Sequence, residues 1–475
     1  MIPTISYISS PEINAQCARS VESIFHSRDS WDSYRVQDQA IRLIYHLFGT
    51  PSIPPKSFQA QPGSAYGLIS FPKTWYRNKH PVVLKVIEIT TAQCRPSKNN
   101  PQILECSEYF HELIANLAMT YLLQNQLNPN LLYLYDYGLM YRTKEKDRQG
   151  ILVLERVLGT MYEMWKWINI PRYRALIARH KLPEDTLVMS FLLASLLSLN
   201  QLQNTLNLLH ADLKPNNIFL RLTLPLMIPS FQNPERPPSC LRLLKINRDI
   251  PMLEFFVPNV GLQPIIADFG LSAFQLGNNI IRVPEPPLYG IEYDGKGQYI
   301  DFALDPYILP LPNASQDCSR ENPRQTQSLS PVSNNNVPNY LKTARNTYDS
   351  DTLLIQTQAF LFPSHLGFSP SRRLQVVLDK LKLHSIQPGR YVGKEGQTTF
   401  PENACNGMIG KRNQQICPIY PNRKGPIVSS AFRPTMVSET PICELLQSNL
   451  FEEFHNPQPW LDPEWTEILS EDLYQ

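Results

Sequence analysis

The alternation of hydrophobic and polar positions changes period several times along the chain, and each change marks a predicted element. Val82–Thr91 (VVLKVIEITT) is almost continuously apolar and rich in Val and Ile, and Ala65–Phe71 (AYGLISF) is a shorter run of the same kind. Both predict β-strands. From Leu104 to Asn125 the residues Phe110, Leu113, Ile114, Leu117 and Tyr121 recur near the helical period, which predicts a helix. Leu131–Tyr135 and Ile151–Leu154 return to strand character, and helical patterns follow at 160–168 and from Thr186 to Leu209. That last stretch has no charged residue. Its apolar part, Leu187–Leu199, is shorter than the roughly 20 residues of a membrane span. Asn200, Gln201, Gln203, Asn204 and Asn207 fill the remainder, so a buried helix is predicted and no transmembrane segment. Helical pattern reappears near 351–362 and 371–384, and no internal repeat is present. The order is a small β-rich part containing one helix, then a larger helical part.

Composition changes this picture in one respect. The 475 residues contain 43 prolines but only 19 glycines. Proline is therefore at roughly 9%, against an average usage of about 5%. Prolines crowd 221–264 and 284–338, and the segment SRENPRQTQSLSPVSNNNVPN is so poor in apolar residues that disorder is expected there. With 42% hydrophobic residues the rest can build a sizeable core, and a net charge of +2 gives no field that would recruit nucleic acid or an anionic membrane. Eight cysteines at irregular spacing, with no CxxC pair, point to reduced structural thiols and an intracellular, cytoplasmic location. The first residues lack the basic and apolar regions of a signal peptide.

The chemistry concentrates in two short segments. In LLHADLKPNNIFL, His210, Asp212, Lys214 and Asn217 form H-x-D-x-K-x-x-N between a buried helix and a strand-like run. A carboxylate at Asp212 can orient a hydroxyl and accept its proton. Lys214 can neutralise a transferring phosphoryl group, and the Asn217 amide oxygen can ligate a magnesium ion. In IIADFGLS, Asp268 follows an apolar strand as a second magnesium ligand, and Gly270 is expected to let the backbone turn.

Together these segments resemble the protein kinase superfamily, serine/threonine type. The resemblance implies an α+β, bilobal fold with a β-rich N-lobe and a larger helical C-lobe. It divides the chain into an N-terminal extension (1–56), a kinase-like domain (57–390, N-lobe 57–155, C-lobe 156–390) and a C-terminal extension (391–475). Lys85 in PVVLKVIEI fits the lysine that pairs with ATP phosphates. PGSAYGLIS fits the phosphate-covering hairpin at Gly63, Ser64, Gly67 and Ile69, although only Gly67 matches a glycine of the family pattern. ILVLERVLG resembles the hinge, with Leu154 as gatekeeper and the backbones of Glu155 and Val157 facing adenine. Glu108 and Glu112, one turn apart on the same helix face, compete to pair with Lys85, and Glu108 is preferred. The implied cofactors are ATP and Mg2+ (or Mn2+), and the implied partners are protein substrates with Ser or Thr hydroxyls. Nothing points to a specific nucleic acid or to an oligomeric state.

The departures carry information too. Ala211 stands where the family has Arg, which removes the anchor for a phosphorylated activation loop and implies constitutive or partner-gated activity. Only VPEPPLYG at 283–290 echoes A-P-E. The long stretch between Asn217 and Asp268 implies an insertion near 221–258, and a second is implied near 305–345. Asp301, Asp349 and Asp351 compete for the C-lobe aspartate that holds the catalytic loop, the latter two being preferred. These features are similar to divergent kinases of large DNA viruses, including the poxvirus virion kinase group. A viral origin would put the protein in host cytoplasm or virion. A pseudokinase scaffold and a small-molecule kinase are the alternatives; intact Lys85, Asp212 and Asp268 oppose the first, and Lys214-Pro215 with DFG opposes the second.

Overall fold

A computed structural model describes residues 2–26, 34–50, 52–54, 58–59, 68–72, 76–77, 80–89, 94–96, 101–141, 148–161, 184–210, 212–222, 240–247, 250–259, 262–283, 288–293, 299–304, 349–350, 353–354, 357 and 442–460. The chain is α+β. It opens with strand β1 (Thr4–Ser9), helix α1 (Pro11–His26) and helix α2 (Tyr34–Phe48). Strands β2 (Phe58–Gln59), β3 (Leu68–Ser70), β4 (Val82–Ile89), β5 (Cys94–Pro96) and β6 (Ile103–Cys106) precede helix α3 (Glu108–Gln124). Then come β7 (Leu134–Tyr141), β8 (Arg148–Glu155), β9 (Gly159–Thr160) and the long helix α4 (Glu184–Leu206). Strands β10 (Ile218–Leu222), β11 (Cys240–Asn247), β12 (Ile250–Pro258) and β13 (Leu262–Ile266) follow. After them lie β14 (Phe274–Leu276), β15 (Asn279–Arg282), the hairpin β16 (Leu288–Tyr293) and β17 (Tyr299–Leu304), and helix α5 (Ile442–Gln447).

An antiparallel sheet in the order β2-β3-β4-β8-β7 is covered on both faces. Side chains alternate along a strand. Val82, Leu84, Val86, Ile151 and Val153 therefore share one face, packed on Leu43, Ile44 and Leu47 of α2. Ile87, Leu152 and Leu154 take the other face and join α3 in the main core. This double cover explains why β4 reads as a continuous apolar run rather than an alternating one. Two glycines admit the helices at close range. A Cβ on Gly138 would lie 2.9 Å from the Ala40 Cβ of α2, and one on Gly150 would run into the Tyr109 ring of α3.

Helix α4 is buried from Thr186 to Gln203, within the stretch Thr186–Leu206 that is long and apolar enough to cross a membrane. Several of its polar residues are paired inside the protein. Asn128 donates to Ser198 O (3.2 Å) and to Gln201 Oε1 (2.9 Å), and Gln201 Nε2 donates to Ile8 O of β1 (2.8 Å). Buried amides persist only when paired in this way.

Residues 2–26, read from sequence as part of an extension, share the main core. Strand β1 runs parallel to β11, whose hairpin partner is β12. Ile13, Cys17 and Val21 of α1 join Phe110, Leu113 and Leu117 of α3 in the same apolar cluster. At the other end, α5 and the turns after it bring Leu445, Leu446, Leu450, Phe451 and Phe454 into this core. Trp460 stacks on Phe454 at 5.8 Å and is buried.

The cysteine expectation needs correction. Cys94 and Cys106 form a disulfide. They face each other across the antiparallel β5–β6 pair, a juxtaposition set by strand register and invisible in their spacing. Cys17 and Cys240 are free and buried. The helix at 160–168 beyond residue 161, the patterns at 371–384 and the segment expected to be disordered fall outside the described residues.

Candidate functional site

The alternation along β4 sends Lys85 to the α3 face of the sheet, between Ile69 of β3 and Leu152 of β8 in register. There its Nζ lies 2.8 Å from Glu112 Oε1 and 2.9 Å from Asp268 Oδ1. Burial alone would lower the Lys85 pKa, but the charges of Asp268 and Glu112 outweigh it and hold the group above its ordinary value, so the ammonium stays charged. Asp268 is held below the ordinary carboxylate range, chiefly by Lys85. Glu112 is pushed up by burial, with Lys85 opposing.

The lysine's partner is thus Glu112 and not the preferred Glu108. The reason lies upstream. Residues 103–106 form strand β6 rather than the first turn of the predicted helix, so α3 starts at Glu108. Its second turn, not its first, is level with Lys85. Glu108 stays half-buried at the helix start, its pKa raised by burial with Lys85 pulling the other way.

Asp268 adopts a left-handed backbone conformation (φ 62°, ψ 63°). Asp tolerates this region better than most residues, at a cost of roughly 1–2 kcal/mol. Gly270, expected to make the turn, does not have positive φ. It lies instead beside the acidic pair, where a Cβ would be 3.5 Å from Glu112 Oε2.

The second group of residues forms around Asp212. Its Oδ2 accepts from Lys214 Nζ at 2.6 Å and from Asn217 Nδ2 at 3.0 Å, and Asn217 Nδ2 also donates to Asp212 O at 2.8 Å. Burial raises the Asp212 pKa while the Lys214 charge opposes the rise. A single 3-10 turn, Pro215–Asn217, leads into β10 and holds this geometry. β10 pairs with β13 (Ile218 opposite Ile266), and the Ala267 N–H donates to Asn217 O at 3.0 Å. The two motifs therefore meet through backbone at the ends of neighbouring strands. His210 locks them further: its Nε2 meets Ala267 O at 3.0 Å, which makes Nε2 the protonated nitrogen, and its ring lies 5.1 Å from that of Phe269. Of the three competing aspartates, Asp349 accepts from the His210 N–H at 2.6 Å and is fully buried. Asp301 pairs opposite Ile291 in the β16–β17 hairpin, and Asp351 lies outside the described residues.

Leu154 is buried at the end of β8, opposite Val83 and Leu134. The Glu155 carboxylate is taken up by Arg221, with Oε1 at 2.6 Å from Nε and Oε2 at 2.6 Å from Nη2. Arg221 also donates to Leu131 O (2.7 Å) and Pro129 O (3.0 Å). Sequence reasoning missed this arginine, which sits unmarked in the run NIFLRL. With its N–H donating to Tyr133 O at 2.9 Å, Glu155 keeps only its backbone carbonyl for a ligand. Arg156 N–H donates to Pro81 O and Leu158 N–H to Leu220 O, while Val157 between them takes no backbone partner among the described residues. Ile69 is buried on β3. Gly63, Ser64, Gly67 and Ala211 lie outside the described residues.

Among the described residues no three His, Cys, Asp or Glu side chains converge as a metal cage. Asp268 and Asn217 are the residues that could hold a cation such as Mg2+, which takes one or two carboxylates and completes its shell elsewhere. The Asp268 side chain is 42% exposed and ionised. The Asn217 amide nitrogen is committed to Asp212, so its oxygen is the atom for a metal.

Two buried histidines bear on stability. His210 and His111 are both fully buried, and burial pushes each pKa down to about 4. The His111 ring lies 5.6 Å from that of Phe274. A folded pKa below the unfolded value of 6.5 means stability is fully present above pH 6.5 and lost as pH falls toward 4. Each histidine accounts for roughly 3 kcal/mol across that window. Urea midpoints measured from pH 7 to 4 should fall more steeply for the native protein than for His111→Leu. Parallel profiles would exclude a neutral buried His111.

No family model matches the sequence, and no curated protein matches it.

Proposed function

We propose that the chain is an ATP-dependent protein serine/threonine kinase, with the five-stranded sheet and α3 as its smaller lobe and the α4-centred part as its larger one. The observation that carries the reading is the convergence of Lys85, Glu112 and Asp268 on one side and Asp212, Lys214 and Asn217 on the other. Lys85 and Asp268 are 183 positions apart, yet they meet at 2.9 Å. Such a cation held between two carboxylates is suited to grip the α- and β-phosphates of a nucleotide. The backbones of Glu155 and Val157 would face its adenine.

Asp212 would receive a substrate hydroxyl, orient it toward the γ-phosphorus and take its proton as the new O–P bond forms. The bond from the γ-phosphorus to the bridging oxygen breaks, and ADP leaves. Lys214, 2.6 Å from Asp212, would offset charge on the moving phosphoryl group. A bound Mg2+, held by Asp268 and the Asn217 amide oxygen, would neutralise phosphate charge. The Lys214-Pro215 pair after Asp212 supports Ser and Thr over Tyr as acceptors, by resemblance to the family.

The test is radiolabelled ATP with purified protein and a basic protein substrate, in Mg2+ and in Mn2+, beside Asp268→Asn. The expected result is label on serine and threonine, reduced at least about 100-fold by the substitution. Absence of transfer from the unsubstituted protein in either metal would overturn the proposal. Label found solely on tyrosine would overturn the choice of acceptor.

A further inference from the structure

The strand that follows Asp268 is held by a side chain from the other end of the chain. Asn14, on the inner face of α1, donates through Nδ2 to Thr205 O in the last turn of α4 and to Gln275 O in β14, both at 2.8 Å. Its Oδ1 accepts from the Gly277 N–H at 2.8 Å. One amide therefore closes the β14–β15 turn and ties it to the helix that precedes the Asp212 segment. The surroundings reinforce the knot. Gln275 accepts from Asn207 at 2.6 Å and donates to Gly277 O at 3.0 Å, and Gly277 takes the left-handed conformation (φ 57°). Leu209 and Ala273 exchange two backbone hydrogen bonds of 2.8 Å.

From this knot the structure leads directly to Glu112. β15 pairs in parallel with β6, Ile280 to Arg282 lying opposite Ile103 to Glu105, and Arg282 Nη2 is 3.1 Å from Glu105 Oε1. A single residue, Ser107, separates β6 from α3, whose second turn carries Glu112. The same helix α1 lies along α3: Cys17 Sγ meets Ala118 O at 3.9 Å, and Tyr121 donates to Gln16 at 3.3 Å. α1 thus touches both things that must be in place for Lys85 to meet its two carboxylates, the helix bearing Glu112 and the strand after Asp268.

We infer that α1 acts as a built-in activating element, with Asn14 as the positioning residue that holds the segment after Asp268, and through β6 helix α3, in the arrangement competent for phosphoryl transfer. The inference rests on the kinase reading for its consequence in activity, and on geometry alone for its consequence in structure. It also supplies an order that Ala211, in place of the family's Arg, gives no means of obtaining through loop phosphorylation.

The experiment compares the full-length protein, Asn14→Ala and Phe255→Leu, the last trimming a fully buried ring of β12 in the β1-β11-β12 sheet. Amide hydrogen exchange and steady-state kinetics are measured on all three, with melting temperatures alongside. Asn14→Ala should raise exchange at least about 10-fold across 274–282 and in the first turns of α3, leaving β11 and β12 protected. It should lower kcat about 10-fold with KM for ATP changed less than about twofold, because misplacing reacting groups costs more in the transition state than in binding. Phosphatase treatment of the native protein should leave kcat unchanged. Phe255→Leu should lower the melting temperature without this kcat loss. Unchanged exchange at 274–282 in Asn14→Ala would overturn the inference, as would a kcat loss matched by Phe255→Leu at equal melting temperature. If the native protein transfers no phosphoryl group, the kinase reading fails, and the exchange pattern still decides whether Asn14 holds the segment.

Discussion

Asp212→Asn is expected to lower kcat by about 10³-fold while leaving KM for ATP within about threefold. The substitution keeps the shape of the side chain and an acceptor oxygen for Lys214 Nζ and Asn217 Nδ2, which now bind Oδ2 at 2.6 and 3.0 Å. What it removes is the negative charge and the capacity to accept a proton. Burial already raises the Asp212 pKa against the opposing charge of Lys214, which makes the carboxylate a better base than a solvated one. The side chain is 27% exposed, so the loss of stability should be small, about 1 kcal/mol. Steady-state kinetics and urea denaturation on the same preparation separate the two effects. A variant that keeps more than a tenth of the native kcat would remove Asp212 from the proton-accepting role. A variant that no longer binds ATP would show instead that the side chain serves the fold.

The parts of this molecule legible in the sequence are those whose signal is local. HADLKPNN and ADFG each fit within one turn and its flanking strands, and the pairing of β10 with β13 brings them together. The long strands, α3 and α4 show in periodicity, and so could α2 have done, since Ala40, Leu43, Ile44 and Leu47 keep helical spacing. What escaped depends on distant partners. Strand β1 owes its existence to β11, more than two hundred positions away, and Asn14 is an unremarkable residue until Thr205, Gln275 and Gly277 surround it. β11 and β12 were hidden in a proline-rich stretch, where Pro251 and Pro258 lie in a strand at the edge of its sheet, a position that tolerates proline. The mistaken choice of Glu108 has the same origin. Residues 103–106 become a strand between β5 and β15, the latter a contact no local pattern contains, and this moves the start of α3 along the chain. The Cys94–Cys106 disulfide likewise needs the register of a hairpin before its spacing means anything.

Lys85→Met should separate stability from activity. Methionine follows the aliphatic stem of lysine but carries no charge, so Glu112, whose side chain is 5% exposed, is left without its counter-ion. An uncompensated buried charge costs about 3–5 kcal/mol at neutral pH. Asp268, with 42% of its side chain exposed, can turn to water and should contribute less. The deficit has a defined pH dependence. Burial pushes the Glu112 pKa up and only Lys85 opposes it, so in the variant the folded pKa moves further above the unfolded value. A raised carboxylate pKa favours folding at low pH and disfavours it as pH rises, so the deficit should shrink on acidification. Glu112→Gln in the Lys85→Met background removes the stranded charge and should restore much of the lost stability at pH 7. It should not restore catalysis. The cation that would hold the nucleotide phosphates is still missing, and kcat should stay about 10²–10³-fold below the native value in both variants. Urea denaturation at several pH values, with kinetics on the same four proteins of the double-mutant cycle, gives both quantities. If kcat returned together with stability in the double variant, Lys85 would be a structural cation, and the phosphates would have to be held by another group.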